Sequence, residues 1–457
     1  MKQIMKANET IMQYIGNPKT ASAAYRFSHY VLAEPVEDGI LLLNNLTREL
    51  LLLTEDEYNQ ALENDTLREK WFVVPEELNE KQVVDMVRWV HKMRKAPSDC
   101  ITNFVVYNTT DCNARCFYCF ELGRKRIPMT DDVALKTADF IISHCKGKPV
   151  RINWFGGEPF YHTRPMDLIC AKLKEAGISY KSKTTTNGYL LNEENISKCV
   201  DLWNMKRVQI SMDGTEDVYN KAKRYIYKDG NPYQIVMSNI QRVLDRGIRV
   251  IVRLNLDFHN LDDLNVFADE LAQRFGGQEN FLVYSHLIID ERKPWDGHHS
   301  LEEWNALYQA KADLDQKMMD LGIHANRTLK LSGDLRMSAC MADSDNSIVV
   351  SPDGCLGVCE HYSETELIGH LDSPERDQAV INSFRETWDP IAECDTCSLY
   401  PACIRLKKCP YIMPCIEASR QDQLHTIRCS IRNEYQQWAK KNMTKDEDDS
   451  IHPEDLI

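Results

Sequence analysis

The chain has 457 residues, 43% of them hydrophobic and 27% charged, and at roughly one domain per 150 residues it predicts about three domains rather than one core. Its formal charge of −14 argues against a broad phosphate-binding surface, and its longest apolar runs fall far short of the ~20 residues that span a bilayer. Neither a nucleic-acid nor a membrane partner is expected, and the polar start MKQIMKANET lacks a signal-peptide apolar region, so a cytoplasmic location is expected.

Residues 1–96 read as a small α+β unit. A strand is expected over Tyr25 to Leu32, then a turn at Asp38-Gly39 and apolar runs Ile40 to Leu43 and Leu50 to Leu53. Two helices should follow, the first with a capping box in Thr54 and Glu57, the second starting near Asn79 with Val83, Val84, Val87 and Val90 along one face. Ala96-Pro97-Ser98 reads as a linker.

Over residues 97–328 short apolar strands alternate with helical patterns: Phe104 to Tyr107, Val150 to Phe155, Ser182 to Thr186, Val208 to Met212, Val250 to Leu256 and Phe281 to Ile288. This predicts an α/β fold of six βα units on a parallel sheet, an open partial (β/α)6 TIM-like barrel with its chemistry at the carboxyl ends of the strands. Residues 329–444 lose that periodicity and gain cysteines, nine of the sixteen lying between Cys340 and Cys429, which predicts a metal-organised third domain. Residues 445–457 are an acidic tail expected to be disordered.

Directly after the first barrel strand comes Cys112-Asn-Ala-Arg-Cys116-Phe-Tyr-Cys119. A cubane iron-sulfur cluster has four irons, and this loop supplies three thiolates, with Cys145 well away. One iron is left open for chelation by a substrate's amino and carboxylate groups. Zinc would need a fourth ligand and more often shows paired Cys-x2-Cys ends.

The Cys112-x3-Cys116-x2-Cys119 loop after strand one resembles the signature of radical S-adenosylmethionine (SAM) enzymes, and the six βα units resemble their partial barrel. That resemblance implies a SAM-binding [4Fe-4S] cluster on Cys112, Cys116 and Cys119. It implies further that Gly156, Gly157 and Glu158 form the GGE motif contacting the SAM amino group, the glycines allowing close backbone approach. Ser211 and Arg224 match the residues that hold the SAM ribose and carboxylate, with the Ser-to-Arg spacing offset by one, and Tyr118 matches the aromatic beside the adenine. Thr186-Asn187-Gly188 and Arg253-Leu-Asn255 end strands where the family lines its cavity.

Cys340-x13-Gly354-x4-Cys359, then Cys394-x2-Cys397-x5-Cys403, then Cys409 and Cys429 resemble the SPASM domain with its two auxiliary [4Fe-4S] clusters. The resemblance implies that Cys394, Cys397, Cys403 and Cys429 hold the second auxiliary cluster and Cys340, Cys359 and Cys409 the first. Five residues rather than the usual three separate Cys403 from Cys409, and the upstream cysteine that often completes the first cluster is missing. Either Cys355 is its fourth ligand, or an iron stays open to bind a substrate thiolate. Structural zinc sites are the alternative, and Cys415 is left unassigned; Cys100, Cys145, Cys170 and Cys199 read as plain buried thiols. Glu360 follows Cys359 where sulfatase-maturating relatives place an aspartate that takes a proton from substrate, so it is the candidate general base.

Apart from its tail, the chain resembles SPASM-containing peptide maturases, the sactisynthase and ranthipeptide-synthase kind. The resemblance implies a winged-helix-like RiPP recognition element in residues 1–96, gripping the leader of a ribosomally made precursor peptide as an added strand. Its many acids, Glu34, Glu37, Asp38 and Glu49 among them, favour peptide over DNA. It implies an oxidoreductase that cleaves SAM to a 5'-deoxyadenosyl radical, with an external electron donor such as flavodoxin or ferredoxin. Thioether formation is the expected outcome; carbon-carbon crosslinking, sulfatase maturation and a non-catalytic metal-binding scaffold are the alternatives.

Overall fold

The computed structural model describes residues 1–16, 24–94, 98–227, 229–288, 299–362, 364–373, 375–410 and 415–448. Ala96 and Pro97 of the expected linker and residues 449–457 of the acidic tail lie outside the described residues; the backbone of the last helix runs to Asp448.

The amino-terminal unit holds β1 (Lys2–Met5), β2 (Tyr25–Phe27), β3 (Val31–Val36), β4 (Gly39–Asn44), β5 (Leu50–Leu53) and β6 (Val73–Pro75). β1, β5, β4 and β3 pair antiparallel in that order, and β2 pairs with β6. The expected strand from Tyr25 to Leu32 is therefore two strands. The chain turns between them because Ser28 and the His29 amide both bind the buried Glu80 carboxylate, the latter at 3.0 Å. Leu41, Leu43, Leu50 and Leu52 face Ile431 of the last helix, while Leu42, Leu51 and Leu53 face Phe72 and Val73, so both faces of this sheet are covered. β1 is too short and polar to stand out in the sequence. Thr54 and Glu57 do form the capping box of a helix, Glu55–Asn59, and a second helix spans Glu80–Arg94.

Six parallel strands follow: β7 (Asn103–Thr109), β8 (Val150–Gly156), β9 (Tyr180–Thr186), β10 (Met205–Met212), β11 (Arg249–Leu256) and β12 (Phe281–Leu287). They are hydrogen-bonded in sequence order and remain open. Helices between consecutive strands pack on one face, where Val208, Ile210, Val250, Val252 and Leu254 are fully buried. The sheet does not end at β7: β13 (Ser347–Val350) pairs parallel with it, Ser347 to Val350 against Asn103 to Val106, and β14 (Cys355–Gly357) and β15 (Gly369–His370) extend the sheet to nine strands. The chain closes with the long helix Glu417–Asp448.

Candidate active site

The three-cysteine loop leaves the carboxyl end of β7 under tight control. Asp111 accepts from the Cys112 amide at 2.8 Å, the Arg115 amide donates to the Lys223 carbonyl at 2.9 Å, and the Ile226 amide donates to the Asn113 carbonyl at 2.9 Å. The Cys112 sulfur receives the Ala114 N–H at 3.3 Å, and the Asn187 side-chain amide lies 3.8 Å away. Burial pushes all three thiols up, Cys119 to about 11. Thiols so placed carry no charge at neutral pH unless a metal replaces the proton. Three sulfurs on one loop, one already receiving an N–H donor, are a donor set that fits a cluster bound through three of its irons.

Gly156 has φ +117°, and an added Cβ would lie 2.1 Å from the Thr109 carbonyl oxygen; one at Gly157 would lie 2.3 Å from that of Asp111. The close backbone approach these glycines permit is to the chain's own β7 loop. Glu158 is fully buried, one oxygen accepting from the Thr186 hydroxyl at 2.7 Å and the Phe160 amide at 3.1 Å, the other from the Asn187 amide at 2.8 Å. Burial raises its pKa, and these donors oppose that. Asn187, thus fixed, reaches the Asn113 side chain at 2.7 Å.

A second buried network carries the other expected nucleotide residues. Tyr118 donates to Asp213 at 2.6 Å, and Asn255 donates to both at 3.0 Å. Lys223 lies 2.9 Å from the Ser211 hydroxyl, 2.9 Å from the Tyr118 hydroxyl and 3.1 Å from the Asp213 carboxylate. Burial works to lower the Lys223 pKa, but Asp213 and then Cys116 outweigh it, so the group stays an ammonium. Arg224 is not part of this network: it caps the helix Glu216–Lys223 in the left-handed region at φ +48° and its side chain is exposed. The residue offset by one, Lys223, is the cation beside Ser211. Tyr219, Ala222 and Lys223 form the buried face of that helix, and this spacing was the available sequence signal.

In the carboxyl-terminal region Cys359 has Cys340 and Cys409 among its electrostatic neighbours, while among the described residues no three such side chains stand close enough to hold a single metal ion. Glu360 lies beside Cys359 and Cys340, its carbonyl accepting from the Tyr107 hydroxyl at 2.6 Å, and its carboxylate is an electrostatic neighbour of Lys183. Cys355, on β14 opposite His370, has Asp353 as its charged neighbour and is not drawn into the trio. Cys394, Cys397 and Cys403 line one cavity of about 250 Å³ together with Cys415, not Cys429. Cys429 sits 3.6 Å from His425, on a helix whose Arg428 and Arg432 reach Glu34 at 3.6 and 3.3 Å, which turns it toward the amino-terminal unit. Arg420 approaches the Cys415 sulfur at 3.4 Å. Cys100, Cys145, Cys170 and Cys199 are buried thiols, as expected.

Residues 106–271 match the family model of the radical SAM superfamily. The matched segment contains the cysteine loop and strands β8 to β11, with β12 beyond it, and the chain is an enzyme acting through radical SAM chemistry, which in that superfamily uses a [4Fe-4S] cluster and SAM. It is 23% identical over 329 residues to a cysteine-type anaerobic sulfatase-maturating enzyme of Clostridium novyi (strain NT), covering 65% of this chain and 84% of that one. It is 26% identical over 278 residues to a GTP 3',8-cyclase of Clostridium perfringens (strain SM101 / Type A), covering 56% and 79%. Among solved structures, native anSMEcpe with bound AdoMet and Cp18Cys peptide superposes with a TM-score of 0.56 at 13% identity, covering 74% of this chain and 99% of that one. Among the described residues no helix is long and apolar enough to cross a membrane.

Proposed function

We propose that the chain is a radical SAM peptide maturase that installs a thioether crosslink in a ribosomally made precursor. The observation that carries the thioether is the trio Cys340, Cys359 and Cys409, to which Cys355 is not added. Three protein sulfurs leave one iron of a cubane for a substrate thiolate. The peptide-bound state named for the anSMEcpe structure supports a peptide substrate.

In this reading Cys112, Cys116 and Cys119 hold the SAM-binding cluster, Cys340, Cys359 and Cys409 the first auxiliary cluster, and Cys394, Cys397, Cys403 and Cys415 the second. The bound cluster and SAM supply a hydrogen-abstracting radical. The chain's own part is positioning: Glu158 fixes Asn187 beside Cys112, and Lys223 presents an ammonium at Ser211, suited to a carboxylate. Tyr118, donating to Asp213, is held against the same ammonium. Glu360, flanking Cys359, is placed to take the proton of a peptide thiol. Residues 1–96 act as the leader-binding element; a held leader raises the core peptide to roughly millimolar at the barrel mouth.

The test is a search of the neighbouring reading frames for a short cysteine-bearing precursor, then anaerobic reconstitution, incubation with SAM and that peptide, and mass spectrometry. Release of 5'-deoxyadenosine with loss of a pair of hydrogens and of one free thiol from the peptide is expected. Hydrogen loss with every thiol retained would replace the thioether by a carbon-carbon crosslink, and no deoxyadenosine release would reject the reading.

A further inference from the structure

The face of the barrel sheet opposite the helices carries cations that the chemistry above leaves unused. Period-two alternation places Lys183 on β9, Arg207 on β10 and Arg253 on β11 on this face, with Gln209, Tyr284 and His286. Lys183 and Arg207 are direct register partners, and Arg249 is next in the row. Like charges side by side on a sheet destabilise it. Burial and then the Arg207 guanidinium press the Lys183 pKa down, and burial lowers that of Arg207.

Among the described residues, none of the three has a carboxylate within ion-pair distance; Glu360 is an electrostatic neighbour of Lys183. Arg253 lies 3.2 Å from His286 Nδ1, but that nitrogen is also 2.7 Å from the Leu287 carbonyl. One nitrogen cannot donate to the carbonyl and accept from the guanidinium in the same tautomer. The Arg253 Nε is buried with no acceptor at all. A chain with net charge −14 does not lack acids to pair with these groups, yet it leaves them open. Lys183 is exposed, but Arg207 and Arg253 are half-buried; drawing such cations from water without a partner is costly, and a ligand anion removes that cost.

We propose that this face binds the carboxylate of an Asp or Glu side chain of the substrate peptide. Arg253, level with Ser211, meets it near the SAM end, and Arg207 and Lys183 extend the anion-binding strip about 13 Å down the strands. The inference rests on the peptide-maturase reading and adds to it the class of residue recognised.

The test uses the anaerobically reconstituted full chain and titration calorimetry with N-acetyl-glutamate methylamide, N-acetyl-glutamine methylamide and inorganic phosphate as probes. The acid is expected to bind about tenfold more tightly than the amide, the size of one charge-assisted hydrogen bond. That preference should fall several-fold in R253Q, R207Q and K183Q, the last at an exposed position that folding tolerates. Equal affinity for acid and amide, or an undiminished preference in all three variants, overturns the proposal. Phosphate binding more tightly than the acid overturns it too, by making a phosphoryl group the ligand. SAM cleavage by the same wild-type sample keeps the readings apart: cleavage without acid preference refutes only this inference, and acid preference without cleavage refutes only the maturase reading.

Discussion

The Lys223 ammonium stands 2.9 Å from the Ser211 hydroxyl, while Arg224, its neighbour in sequence, is exposed. Exchanging Lys223 for Gln leaves Asp213 buried without its cation, a loss of roughly 3–5 kcal/mol by comparison with other buried pairs. Arg224→Ala should change stability by less than about 0.5 kcal/mol. Chemical denaturation measures both, and SAM affinity should drop only in the Lys223 variant; a drop in the Arg224 variant would return the carboxylate role to Arg224.

Iron analysis distinguishes Cys415 from Cys429. In a background with Cys112, Cys116 and Cys119 changed to Ala, Cys415→Ala should open one iron of the second auxiliary cluster, lowering the iron retained after anaerobic desalting and shifting the reduced-state paramagnetic spectrum. Cys429→Ala should leave iron content and the reduced-state paramagnetic spectrum unchanged. The reverse pattern would restore Cys429 as the ligand.

His286 gives the fold a pH dependence with a defined sign. Burial, then Arg253, depresses its folded pKa to about 3 from 6.5. As pH falls below 6.5 the unfolded chain takes a proton that the folded chain refuses, so stability is complete above 6.5 and declines toward pH 3. The decline is on the order of a few kcal/mol. Denaturation midpoints between pH 4 and 7 should fall more steeply for wild type than for His286→Asn, and parallel curves would disprove the assignment.

Gly156→Ala should be severely destabilising. The φ of +117° disfavours any side chain, and the Cβ meets a backbone carbonyl that cannot move without shifting the cysteine loop. A loss above about 3 kcal/mol is expected in urea unfolding, with impaired cluster loading on the three-cysteine loop.

The six barrel strands and the cysteine loop were legible because each is a local signal: apolar runs of strand length, and three cysteines in eight residues. What escaped the sequence was set at long range. β13 is an ordinary short apolar run whose partner, β7, lies more than 200 residues upstream. Cys415 lines the cavity of Cys394, Cys397 and Cys403 while Cys429 lies on the last helix, whose Arg428 and Arg432 reach Glu34, a long-range placement that cysteine spacing does not encode. That Lys223 rather than Arg224 enters the buried Tyr118–Asp213 network follows from where the helix Glu216–Lys223 ends, a boundary that periodicity fixes poorly.

The main-chain ladder between β13 and β7 fastens the region that bears Cys340 and Cys359 to the strand that delivers Cys112. Separating those two cysteine sets requires unzipping backbone pairs rather than rotating a joint. The spacing between those two cysteine sets is accordingly a property of sheet register, inherited at folding.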